Sequence, residues 1–139
     1  MGLLQRRSLA PDDPRRLREL LDRCIALAAE HQVPSVVVGM AGDEGDALFP
    51  ELVEYVASAL RMEDSIFRLT RERAVLFLAD VSRAQVESIL ARLQADFRQR
   101  FGGMRTPHVT LGAYEIAPGA QLALKEVLPA VFGHEASAV

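Results

Sequence analysis

The sequence predicts an α/β (α+β) domain, a mixed sheet flanked by helices in the order α-β-α-β-β-α-β-α. Three observations carry this expectation. Several stretches repeat apolar residues at helical spacing, and short β-branched or alternating runs lie between them. A polar tetrad, Thr70-Arg71-Glu72-Arg73, separates the apolar runs Ser65 to Leu69 and Ala74 to Leu78, the pattern of a β-hairpin. It is the only tight turn in the pattern, so parallel neighbours would be joined by helical crossovers.

Asp13 followed by Pro14 makes a helix start, with an N-cap acceptor before proline at the first helical position. Leu17, Leu20, Leu21, Cys24, Ile25 and Ala28 then place a helix over about 14–31, which Gln32-Val33-Pro34 ends. Ser35 to Met40 is a β-branched run and reads as a buried strand. After the acidic loop Ala41 to Asp46, the residues Phe49, Leu52, Val53, Val56, Ala59 and Leu60 mark a helix to about Arg61. Pro50 must fall in its first turn, since deeper inside it would delete a hydrogen bond. Ser82-Arg83-Ala84-Gln85 is a capping-box pattern, and Val86, Ile89, Leu90, Leu93 and Phe97 follow as an amphipathic helix. Arg98 to Pro107 reads as a loop containing Gly102-Gly103. Val109, Leu111 and Ala113 alternate with Thr110, Gly112 and Tyr114 as a last strand. Pro118-Gly119 leads into a final helix of about 120–132 that Pro129 kinks or shortens.

At 139 residues the chain makes one domain with a single core, here read as a lead-in over 1–12, the domain over 13–133 and a tail over 134–139. Half the residues are apolar and the net charge is −3, so there is no global attraction to nucleic acid or an anionic membrane. An anion site must therefore be a local cluster. Cys24 is the only cysteine, which excludes an intrachain disulfide and C-x-x-C metal chemistry, and it falls on the apolar face of the first helix. His31, His108 and His134 lack ligand spacing to one another. No window has the apolar length of a membrane span, and the first residues lack the order of a signal peptide, so a cytoplasmic location is the expectation.

Taken in order, these residues resemble a GGDEF domain, the diguanylate cyclase family. Arg68-Leu-Thr-Arg-Glu-Arg-Ala-Val-Leu-Phe-Leu78 lies where the family has R-Y-G-G-D/E-E-F-A-V-L-L, and Asp80 follows at the family's P-D-T-D turn. Gly45-Asp46-x-Leu48-Phe49 resembles the G-D-x-L-L helix start, Val109-Thr-Leu-Gly112-Ala the V-S-I-G-V strand, and Arg15-Arg16 the N-R-R of the first helix. Arg61-x-x-Asp64 stands where the family carries its allosteric RxxD motif. The match runs from about residue 9 to 132, and the colinear set carries it rather than any one motif.

The departures bear on activity. The motif region here is Thr70, Arg71, Glu72, Arg73 and Ala74. Where the family's two glycines let the turn adopt φ > 0 and the backbone approach GTP, Thr70 and Arg71 oppose both. The second acidic turn residue, a metal ligand in the family, is Arg73. No acid stands in Val36 to Met40, where the family has its first-strand metal aspartate. The F-K-x-x-N-D segment is missing before Gly45, and the C-terminal lysine position is Glu135. Asp43, Glu44, Asp46 and Glu72 remain as acids, more simply read as solvated turn and helix-start residues than as Mg²⁺ ligands. The resemblance therefore implies a degenerate domain that is not an enzyme, with no metal and no cofactor.

It also implies a surviving site. In the family the RxxD pair binds cyclic di-GMP, often as a stacked dimer of the ligand, and an arginine of the next helix assists. Arg61 and Asp64 form that pair here, Arg92 sits at the assisting position, and Arg68 is a weaker candidate that alternatively braces the turn. An arginine fork can donate to guanine O6 and N7 or to phosphate, and a carboxylate can accept from guanine N1–H and its amine. The alternative reading has Arg61 capping its helix and pairing locally with Asp64. Two functions follow: a cyclic di-GMP receptor without catalytic activity, or a nucleotide-free scaffold acting through a protein partner. Either way a protein partner or homodimer is expected.

Overall fold

The computed structural model describes residues 12–101 and 107–138, with side chains as far as Phe132. The lead-in before Asp12, the Gly102-Gly103 loop and the side chain of Glu135 lie outside the described residues. The elements are α1 (Pro14–His31), β1 (Ser35–Gly42), α2 (Leu48–Ala59), β2 (Ser65–Thr70), β3 (Arg73–Leu78), α3 (Arg83–Arg100), β4 (Val109–Ile116) and α4 (Leu124–Ala138). This is the expected order. The Asp13 side chain accepts from Arg15 N–H at the start of α1, and its Arg15 partner holds that carboxyl below the usual range. Pro50 lies in the first turn of α2. Both halves of the Ser82/Gln85 capping box are present at α3.

The strands lie in the order β2-β3-β1-β4. Each described pairing is antiparallel, so the expected mixed sheet is corrected to an antiparallel one. β1 and β2 do run parallel through the crossover α2, and β3 and β4 through α3. The two units are interleaved, however: β3 sits between β1 and β2, and β1 sits between β3 and β4. This is the split β-α-β arrangement, in which helical crossovers step over an antiparallel neighbour.

The central strands β1 and β3 are buried on both faces, which explains their unbroken apolar runs. On one face Val36, Val38, Met40, Leu76 and Leu78 pack under α2 and α3. On the other Val37, Val75, Phe77 and Ile116 pack under α1 and α4. Cys24 belongs to this second cluster, and its burial raises the thiol pKa. α4 starts later than expected and runs through Pro129 to Ala138. Val127 and Val131 on either side of the proline are both buried, and that anchorage holds the helix across the missing hydrogen bond.

α4 reaches the sheet because of a glycine pair. Gly39 and Gly112 are direct cross-strand partners on β1 and β4. A Cβ on Gly39 would stand 2.9 Å from the Val131 carbonyl oxygen, and one on Gly112 would overlap that same oxygen. The helix backbone therefore rests on a saddle that side chains would fill.

Candidate functional site

In the GGDEF family that the sequence resembles, the chemistry would sit at the hairpin turn. Thr70 pairs with Arg73, leaving Arg71 and Glu72 as the turn, and the register shifts between Arg68 and Thr70. Neither turn residue takes a positive φ. The irregularity before the turn lets the strands join without the glycines that a primed turn demands. Glu72 is held into the β1–α2 loop: its carbonyl accepts from Gly42 N–H at 2.8 Å and its carboxylate from Gly45 N–H at 3.4 Å. The space lined by Pro50, Val53, Arg68, Thr70, Arg71, Arg73 and Ala74 is about 10 Å³. That is the room of a single water, not of a nucleotide.

The remaining acids are dispersed. Only residues 43–47 join β1 to α2. Asp43 pairs with His108 Nδ1 at 3.2 Å, and buried Asp46 accepts from Leu48 N–H at 2.8 Å to start α2. Among the described residues no group of three His, Cys, Asp or Glu could hold a metal ion.

Arg61 and Asp64 lie at the far end of β2, about 20 Å away for six residues of strand. Here α2 has ended and the chain turns, with Asp64 N–H donating to the Arg61 carbonyl at 3.0 Å. The Asp64 side chain is only 4 % exposed, whereas that of Arg61 is 45 % exposed. The guanidinium grips the carboxylate in bidentate fashion: Nε to Oδ2 at 2.9 Å and Nη2 to Oδ1 at 3.0 Å. Asp64 also accepts from Arg61 N–H and Ala79 N–H, each at 3.1 Å. Arg61 Nη2 donates in addition to the Ala79 carbonyl. Hydrogen bonding to Asp64 raises the Arg61 pKa above its ordinary value. The pair thus clamps the entry to β2 onto the exit of β3, and each carboxylate oxygen already accepts two hydrogen bonds.

Arg92 projects from α3 beside this clamp and is exposed, with no ion pair among the described residues. Arg61, Asp64 and Arg92 line one cavity of about 140 Å³ whose walls are Ala59, Leu60, Leu78, Val81, Ile89 and Leu93. Arg68 does not join them. Its guanidinium pairs with Glu54 of α2 and stands 3.9 Å from Asp12, and it borders the small space behind the hairpin instead. Sequence reasoning missed the Ala79 backbone, which completes the clamp. Spacing holds no signal for it, because any residue at that point of the fold offers the same N–H and carbonyl.

No family model matches this chain, and no curated protein matches it. Solved structures do. A microbial GGDEF domain described for its mode of interaction with cyclic di-GMP aligns over 94 % of this chain and 89 % of its own, with TM-score 0.72 and 15 % identity. This is the GGDEF fold. The GGDEF domain of DgcB from Caulobacter crescentus, solved in complex with cyclic di-GMP, aligns over 89 % of this chain and 82 % of its own, with TM-score 0.68 and 14 % identity. PelD from Pseudomonas aeruginosa aligns over 82 % of this chain at 24 % identity and TM-score 0.64. The GGDEF-like chain spans only 42 % of that PelD structure. At such identities the likeness is one of fold. No helix of the GGDEF-like domain is long and apolar enough to cross a membrane among the described residues.

Proposed function

We propose that this is a GGDEF-like signalling domain without cyclase activity that receives cyclic di-GMP at Arg61, Asp64 and Arg92, working in the cytoplasm. The observation that carries the reading is the convergence of those three side chains on one cavity at the RxxD position. Solved structures of like fold in complex with cyclic di-GMP support it. The cavity is smaller than the roughly 300–1,000 Å³ of drug-sized pockets, so it suits one guanine edge with the rest of the ligand over the rim. Arg92 supplies donors for phosphate or for guanine O6 and N7, whereas the outer Nη1 of Arg61 stands 3.5 Å from the Glu63 carboxylate and must share or exchange that partner to do the same. Asp64 can accept from guanine only by exchanging a partner it already holds.

That last point favours a second reading, a nucleotide-free scaffold in which the pair serves the fold alone. Calorimetry separates the two. The receptor reading expects micromolar or tighter binding of cyclic di-GMP, and Arg92→Ala weakening it at least about tenfold with an unchanged melting temperature. No heat and no melting shift at saturating ligand would leave the scaffold. A separate measurement concerns catalysis: with GTP and Mg²⁺ the protein is expected to form no cyclic di-GMP. Steady turnover would overturn the reading of the hairpin.

A further inference from the structure

We propose that the outer edge of β4, with the groove between β4 and α3, is the surface on which a second copy of this chain pairs. The two edges of the sheet are treated differently. At β2 the chain caps the middle of its own edge at Arg68: Asp12 N–H donates to the Arg68 carbonyl at 2.9 Å, and the Asp12 carboxylate accepts from Arg68 N–H at 2.7 Å. The irregularity between Arg68 and Thr70 bends that edge further. β4 has none of these devices. It is eight residues long, carries Glu115 as its single charge and contains no proline. Among the described residues its outer side makes no backbone hydrogen bond. Long open edges with few charges template pairing, and proteins ordinarily blunt them.

The side chains select the partner. Leu111 is one of only two large apolar side chains left exposed among the described residues, at 37 %. Next to it lies a groove of about 240 Å³ lined by Val38, Val86, Leu90, Ala91 and Ala113. A two-fold axis perpendicular to the sheet near Gly112 sets β4 antiparallel to its copy and keeps faces matched. Each Leu111 then comes over the small Gly112-Ala113 stretch of the other copy, beside that copy's groove. Charge agrees with this arrangement. Glu87, Ala91, Gln94 and Arg98 follow one another along α3 at spacings of three and four, so they share the stripe beside the groove. Antiparallel alignment places the Glu87 end of one helix towards the partner's Arg98. Glu87 stands 3.8 Å from Arg83, and both border the groove, so its carboxylate would then be shared between Arg83 and the partner's Arg98. An extended strand from another protein would satisfy the backbone but not this reciprocity.

The surface is independent of nucleotide, and its test uses the full chain without ligand. Sedimentation is expected to show a monomer–dimer equilibrium in the micromolar range. Amide exchange in β4 is expected to slow at about 100 micromolar protein relative to dilute protein. Leu111→Lys should raise the dissociation constant at least about tenfold while the melting curve keeps its shape. A wild-type chain that stays monomeric at about 1 millimolar would overturn the proposal, as would a dimer whose β4 amides exchange as fast as the monomer's. If the lysine variant does not fold, the exchange comparison on the wild-type chain decides alone.

Discussion

Replacing Gly112 with alanine is expected to cost about 3 kcal/mol and lower the melting temperature by about 10 °C. The added methyl would overlap the Val131 carbonyl oxygen and stand 2.9 Å from the Val131 carbonyl carbon. Both are backbone atoms, which no rotamer change can move away. The helix must lift, and in lifting it withdraws Val127 and Val131 from the core face they share with Val37 and Ile116. Gly39→Ala should cost less, because its Cβ would stand 2.9 Å from the Val131 carbonyl oxygen rather than overlap it, and its other contacts are side-chain atoms of Val131 and Phe132 that can give in part. Gly45→Ala provides the contrast. Nothing lies within 4 Å of its Cβ position, so its cost is the backbone strain of φ +76° alone. Thermal melts of the three variants check the order. A Gly112→Ala protein as stable as the parent would show that α4 does not rest on the sheet as described.

The second large effect concerns the clamp, and it is asymmetric. Arg61→Ala is expected to cost about 3 kcal/mol or more, because it leaves a carboxylate that is 4 % exposed with only two backbone N–H donors. Asp64→Ala should cost about 2 kcal/mol, since the half-exposed guanidinium left behind can turn to water and the main loss is the pairing of Ala79 N–H. The double variant should be less destabilised than the sum of the two, because removing the acid relieves the charge stranded by removing the base. Denaturant titrations of the four proteins complete the cycle. Additive effects, or an Arg61→Ala variant within about 0.5 kcal/mol of the parent, would reduce the clamp to an ordinary surface pair. The asymmetry has a practical side. Loss of ligand in Arg61→Ala alone would not distinguish a missing contact from a loosened turn, whereas Arg92 is exposed and unpaired among the described residues.

Much of the fold was legible because its signals are local. Asp13-Pro14 and Ser82 to Gln85 mark helix starts within four residues, and the run at Val36 to Val38 reports burial on both faces. Strand neighbours were not legible. β1 finds its partners β3 and β4 only after intervening helices, and nothing in spacing says that the two crossovers interleave. The same limit applies at the site. The RxxD spacing keeps Arg61 near Asp64 along the chain, but that Arg92 lines the same cavity depends on how α3 packs beside the end of α2, which spacing does not fix. Arg68 went elsewhere because Glu54, fourteen residues earlier on α2, takes its guanidinium. Gly112 looked like an ordinary member of an alternating strand. Its meaning depends on Val131 of α4, which reaches it only through the tertiary fold.

The Asp12 contacts at Arg68 carry a consequence for assembly. A ribbon stoppered at one end can grow only from the other, and a two-fold union there uses up that one free margin in both molecules. The pairing proposed for β4 is therefore expected to stop at two molecules rather than run on into a fibre.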